Sequence, residues 1–160
     1  MSAAIHSVPG LLRLNLGCSD SHAAGWLNVD IAPPCDVVAD LSARWPWYDS
    51  SVETINAWDI FEHLPDKMHT MNEAWRVLVP GGTLDLFIPT TDGRGAFQDP
   101  THKSFWTPND LFYFCDEYQE WARFHVAYGI TACFRKVSAA HSEFPNKVWK
   151  LRAVLRAVKL

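Results

Sequence analysis

Three residues near the start of the chain have the types and the placement to hold a ligand: Gly17, Asp30 and Asp40. They close three short apolar runs, Leu12–Leu16, Leu27–Ile31 and Val37–Ala39. Runs of this length, bounded by Gly, Pro and Asp, predict buried strands of a parallel sheet. Ligands of such sheets bind beyond the carboxyl ends of the strands, near the point where strand order reverses. One small residue and two carboxylates are therefore expected to meet at one crevice. Farther on, Glu62-His63 and His102, the latter close to Asp99, pair carboxylates with imidazoles. Such pairs can take a proton from a hydroxyl or amine.

A carboxylate at the end of a second strand can accept hydrogen bonds from both hydroxyls of a ribose. Gly17, lacking a Cβ, is expected to let the backbone come close to that ligand. Two nucleoside-type ligands meet these needs, a nicotinamide dinucleotide and S-adenosylmethionine. Cys18-Ser19-Asp20-Ser21-His22 follows Gly17, so the G-x-G-x-x-G spacing is missing. Residues 18–29 must also supply part of the second strand, which leaves little room for a helix to hold a pyrophosphate. The residues thus favour the sulfonium donor over the dinucleotide.

Five segments then carry a resemblance. Leu14-Asn15-Leu16-Gly17-Cys18-Ser19, Asn28-Val29-Asp30, Ala39-Asp40-Leu41, Phe61-Glu62-His63-Leu64 and Glu73-Ala74-Trp75-Arg76-Val77-Leu78-Val79-Pro80-Gly81-Gly82 resemble, in order, the motifs of class I S-adenosylmethionine-dependent methyltransferases. The likeness spans roughly residues 11–115, and its last motif is the most specific. It implies an α/β, doubly wound and mostly parallel Rossmann-like sheet, closed by a C-terminal antiparallel edge hairpin. It implies S-adenosylmethionine as cofactor, held by Asn15, Gly17, Cys18, Asp30, Ile31, Asp40, Leu41 and Asp59. Glu62, His63 and His102 become the candidate catalytic residues. Transfer of the methyl group to a small-molecule acceptor is the expected reaction. The family usually has a glycine where Ser19 stands, and a longer first crossover. A non-catalytic homologue serving as a binding or partner subunit is the alternative.

The elements that must position these residues can be read in outline. Val52–Asp59 predicts a fourth strand that delivers Asp59 to the crevice. Pro65-Asp66 starts a helix whose apolar stripe is Met68, Met71, Ala74, Trp75 and Leu78. Pro80-Gly81-Gly82 is expected to stop that helix and turn the chain. Thr83–Thr90 predicts a fifth strand. Thr91–Thr107 reads as a long loop, flexible at its two glycines, with Arg94, Asp99, His102, Lys103 and Trp106 as possible contacts. Loops of this length tend to be lids or binding loops. A short helix is expected over Pro108–Asp116, and two terminal strands over His125–Arg135 and Lys147–Val158. The last alternates apolar Trp149, Leu151, Ala153, Leu155 and Ala157 with a more polar face. Arg76 is expected to anchor its helix, and Cys18 to be a small buried residue rather than a nucleophile.

Composition sets the outer bounds. A chain of 160 residues that is 48% hydrophobic and 20% charged predicts a single globular domain over residues 1–160. A net charge of −4 offers no general attraction to nucleic acid or to anionic membranes. The four scattered cysteines indicate neither a zinc site nor a disulfide scaffold, and no metal is expected. Free thiols suit a reducing, cytoplasmic compartment. The first ten residues do not read as a signal peptide, and no apolar run is long enough to span a membrane. Those ten residues also leave no room for a helical lid ahead of the first strand. Shielding of a methyl donor is then expected from elsewhere in the chain, or from a protein partner or homo-oligomer.

Overall fold

A computed structural model describes residues 10–159. The expectations of no leader and no lid at the start fall largely on residues 1–9, which lie outside the described residues. Seven strands form one sheet in the order β3-β2-β1-β4-β5-β7-β6. β1 (Leu12–Leu16), β2 (Leu27–Asp30), β3 (Val37–Val38), β4 (Val52–Trp58) and β5 (Leu78–Pro89) are mutually parallel. β7 (Val148–Ala157) pairs antiparallel with β5, and β6 (Phe134–Phe144) with β7. The chain runs outward from β1 to β3, then restarts at β4 on the other side of β1. That is the doubly wound order, and its switch point lies between β1 and β4.

Period-two alternation sends Leu14, Leu16, Ile55, Ala57, Leu84 and Leu86 to one fully buried face. That face packs under α1 (Lys67–Val77) and the indoles of Trp45, Trp47 and Trp106. Asp66 caps α1 by accepting from the backbone N–H of Met68 and His69. Met71, Ala74 and Val77 are buried, whereas Met68, on the expected stripe, is exposed in the first turn. Arg76 acts as the expected anchor. Its guanidinium grips both oxygens of Glu73 at 2.7 Å and donates to the carbonyls of Trp45 and Trp47. Burial would raise the Glu73 carboxyl, but the bonds from Arg76 and the Trp45 N–H outweigh it and hold it low.

The opposite face carries Arg13, Asn15, Thr54, Asn56, Trp58, Asp85, Phe87 and Arg152, and no helix among the described residues covers it. Crossovers between parallel strands are right-handed. The β4–β5 crossover, like that from β3 to β4, therefore lies on the buried face with α1, and crossover helices for the open face would have to come from the β1–β2 and β2–β3 connections. Residues 17–26 and 31–36 contain none. Trp58 is accordingly 44% exposed. A row of amides crosses this face: Asn56 donates to Asn15 Oδ1 at 2.9 Å, and Asn15 donates to Asn28 Oδ1 at 3.0 Å. Asn28 also accepts from the Ala23 N–H and donates to Asp36.

Several expectations need correction. The terminal hairpin is not built from 125–135: His125–Tyr128 forms α3, which ends at Gly129 with φ +69°, and β7 pairs instead with 134–144. The tight turn at Pro145–Lys147 folds 134–144 back along the edge of β7 away from β5, and β6 is an exposed edge strand whose polar sequence hides it. α1 stops at Val77, and Leu78 is already extended. Pro80-Gly81-Gly82 forms a bulge inside β5, where residues 79–82 lie between the Leu78 and Thr83 pairings. The glycines of 91–107 give close approach rather than flexibility. A Cβ on Gly93 would sit 2.4 Å from the Lys147 carbonyl, and one on Gly95 2.7 Å from Val148 Cγ1. Gly95–Gln98 forms α2, and Pro108–Tyr113 a 3₁₀ turn capped reciprocally by Thr107 and Asp110. Among the described residues no helix is long and apolar enough to cross a membrane.

Replacing Asn28 with Leu keeps its bulk but removes the acceptor of one N–H of the Asn15 amide and of the Ala23 N–H. Unsatisfied buried groups cost about 1–3 kcal/mol each. Asn28→Leu is expected to lower the urea-unfolding free energy by at least about 2 kcal/mol with an unchanged m-value.

Candidate functional site

A cleft of about 550 Å³ opens at the carboxyl ends of the parallel strands, within the range usual for small-molecule sites. Gly17, Asp30, Ile31, Asp40, Leu41, Asp59 and His63 line it, as the sequence reading expects. Ala39, Ser42, Ile60, Leu64, Pro100 and Thr101 line it as well, together with Lys103. Ile60 and Thr101 gave no sequence signal for this role beyond their closeness to Asp59 and His102. Asn15 and Cys18 do not line the cleft; they border a hollow on the open sheet face. Asn15 is occupied by its amide row, and Cys18 is a buried thiol pushed up first by burial and then by Asp30.

Gly17 sits at φ +65°, and a Cβ on it would lie 2.8 Å from Ile60 Cβ. The close approach that requires glycine is therefore to Ile60 of the chain itself. Ser19 takes φ +41°, a region that favours glycine, in a tight turn that the short crossover imposes. In that turn its N–H donates to Asp30 Oδ2 at 2.9 Å, while the Ile31 N–H donates to Oδ1 at 2.7 Å. Each oxygen keeps a lone pair, so Asp30 stays aimed at the cleft with capacity for two hydroxyls. Asp40 is held low by the Ser42 hydroxyl and then by the Ser42 N–H. Asp59, at φ +50°, is clasped through both oxygens by Lys150 at 2.6 and 2.8 Å. Ile31, 70% exposed, offers the cleft an apolar side chain.

At the other end, Phe61–His63 forms one 3₁₀ turn, and segment 99–104 is tied to it. The Lys103 and Ser104 N–H groups donate to the Glu62 carbonyl, and the Ser104 hydroxyl to that of Phe61. The His63 and His102 rings meet edge to face at 4.9 Å. Glu62 is buried behind them, 2% exposed, with Oε2 lacking any hydrogen-bond partner among the described residues. Burial pushes its carboxyl up to about 8, with Asp59 adding to the shift. Asp99 is held low by the Thr101 hydroxyl and N–H. Arg94 is exposed and away from the cleft; Trp106 is fully buried and serves packing.

Residues 14–86 match a family described as "Methyltransferase domain". No curated protein matches the chain in sequence. Solved structures match it in fold. A SAM-dependent methyltransferase from Archaeoglobus fulgidus aligns at TM-score 0.62 and 12% identity, over 92% of this chain and 86% of its own. One from Methanosarcina mazei aligns at 0.61 and 13%, over 96% and 95%. The Burkholderia thailandensis 1,6-didemethyltoxoflavin-N1-methyltransferase, solved with that compound and S-adenosylhomocysteine bound, aligns at 0.59 and 12%, over 94% and 72%.

Gly17→Ala forces a side chain into a left-handed backbone and against Ile60. It is expected to lower thermal stability by the equivalent of about 1–3 kcal/mol, with Gly17→Ala/Ile60→Ala recovering part of the loss. Glu62 predicts a pH dependence. From about 4.5 in an unfolded chain to about 8 in the folded one, its proton is retained only by the folded state. Its contribution is full below about pH 4.5 and fades as pH rises toward 8. Urea midpoints measured across that window should fall for the wild type and flatten in Glu62→Gln.

Proposed function

This chain belongs to the class I S-adenosylmethionine-dependent methyltransferases, and from that premise we propose that it transfers the donor's methyl group to a small-molecule acceptor. The observation that carries the reading is Asp30 at the tip of β2, beside the left-handed turn at Gly17 and aimed into the cleft. The donor, when bound, supplies a methyl group already attached to a good leaving group. The chain's residues then have to bind and orient. Asp30 accepts from the ribose hydroxyls, Ile31 and Leu41 pack against the adenine, and Asp40 faces its edge. Asp59, neutralised by Lys150, shapes the rim without adding net charge. Catalysis rests on holding the acceptor in line with the methyl carbon.

An aromatic hollow of about 640 Å³, lined by Phe105, Tyr113, Phe114 and Tyr128, shares Lys103 with the cleft. Its size and apolar walls support a small, partly apolar acceptor rather than a polymer. We assign Glu62, His63 and His102 to the acceptor's side of the reaction, since His63 lines the cleft opposite Asp30. The cytoplasm is the setting that four unpaired cysteines accord with.

Calorimetric titration with S-adenosylhomocysteine tests the reading. The wild type is expected to bind at micromolar concentration. Asp30→Ala should weaken binding at least about tenfold, which corresponds to about 1.4 kcal/mol, while its melting temperature stays within a few degrees. Absence of binding by the wild type, or an unchanged affinity in Asp30→Ala, would overturn it.

A further inference from the structure

The cluster opposite Asp30 has a proton pattern that proton transfer alone does not need. His102 Nδ1 lies 2.9 Å from the Ala96 carbonyl, which can only accept, so in the neutral ring Nδ1 carries the proton and Nε2 is bare. His63 Nδ1 lies 3.1 Å from Thr101 Oγ1. The single proton of that hydroxyl goes to Asp99 Oδ1 at 2.7 Å, so His63 Nδ1 must donate, and its Nε2 is bare too. Glu62 adds a carboxyl, 2% exposed, with an oxygen that no donor among the described residues reaches. His102 Nε2 stands 4.0 Å from Glu62 Oε1, too far for a hydrogen bond. One candidate ligand atom from each of Glu62, His63 and His102 lies within 4.8 Å of the other two.

A carboxyl oxygen and one nitrogen from each of two imidazoles, gathered within 4.8 Å, ask for a cation. Metal-binding histidines characteristically donate their second nitrogen to a carbonyl or to a carboxylate-backed group that fixes the ring. Both rings do so here, His102 to Ala96 and His63 through Thr101 to Asp99. We propose that Glu62, His63 and His102 bind a divalent transition-metal cation of the zinc type. Two imidazoles and one carboxylate suit Zn²⁺ or Fe²⁺, not the all-oxygen shells of Ca²⁺ and Mg²⁺. Bonds of about 2.0–2.1 Å require the three side chains to draw in on the ion. Three protein ligands leave an open position, the arrangement of catalytic rather than structural sites. Through His63 that position adjoins the cleft. That an oxygen of the acceptor fills it rests on the methyl-transfer reading; the cation site itself does not.

The experiment uses the full chain after chelator treatment. Titration with Co²⁺, followed by its visible d–d absorption, is expected to saturate at one equivalent and to be reversed by Zn²⁺. His63→Ala and His102→Ala should each weaken Co²⁺ binding more than about tenfold, and Thr101→Val, which leaves all three ligands in place, by about tenfold. Circular dichroism confirms that each variant is folded. No saturable Co²⁺ spectrum in the wild type would overturn the proposal, and so would an undiminished one in folded His63→Ala. S-adenosylhomocysteine titrated into the same samples separates the two readings. Binding of the nucleoside without the metal removes only the cation site, and binding of the metal without the nucleoside removes only the methyl-donor cleft.

Discussion

The connection from β1 to β2 is the constraint on which the rest depends. Parallel strands are normally joined by a dozen or more residues, usually including a helix. Here only residues 17–26 are available, and none is helical. The pairing is held instead by side-chain amides. Asn28 ties β2 to Ala23 in the connection and to Asn15 on β1, and Asn15 continues the row to Asn56 on β4. A connection this short must turn at once, which puts Gly17 and then Ser19 into left-handed backbone. That turn presents the Ser19 N–H to Asp30. The device that closes the crossover is thus also the one that points the carboxylate at the cleft.

A second consequence lies on the open face. Without crossover helices, the sheet's outward residues must be covered by their own neighbours. Long cationic side chains do much of this: Arg152 lies 5.1 Å from the Trp58 ring centre, Lys150 4.5 Å from that of Phe87, and Arg13 5.6 Å from that of Trp26. Their stems cover apolar surface while their heads stay in water or meet Asp59 and Asp85. Lys150 therefore belongs to two structures at once. It covers Phe87 on the face and fixes Asp59 at the rim of the cleft, so the two surfaces share an edge.

What the sequence discloses follows from which interactions are local. β1, β2, β4 and β5 are apolar runs with period two, and all are legible to within a residue or two apart from the bulged start of β5. β6 is not, because an exposed edge strand such as Val137–Glu143 has no apolar face to reveal it. Pro80-Gly81-Gly82 misleads because its turn chemistry is genuine but is spent on a bulge within a strand. In the candidate site, the cleft-lining roles of Gly17, Asp30, Asp40 and Asp59 are legible from their positions at strand ends. Asn15 looks the same by that criterion, and only its cross-strand partners Asn28 and Asn56 assign it to the sheet. The partners of the two imidazoles, Ala96 and Thr101, lie beyond any spacing rule, since they depend on how segment 94–104 folds back over the 3₁₀ turn.

That folding back decides what kind of loop this is. A lid closes over its ligand from a mobile state, so it should lack deep anchors. Segment 91–107 is instead anchored by Trp106, which is fully buried, pairs with Thr90 and donates from its indole to Ser104. Ser104 in turn donates to Phe61, and the backbone of 103–104 to Glu62. Gly93 and Gly95 clamp its first half against the start of β7. Lifting the backbone on either side of His102 away from the 3₁₀ turn thus breaks buried contacts. The acceptor side of the cleft is preorganised by core packing, and the candidate ligand atoms of Glu62, His63 and His102 stay within 4.8 Å of one another without a ligand to hold them there.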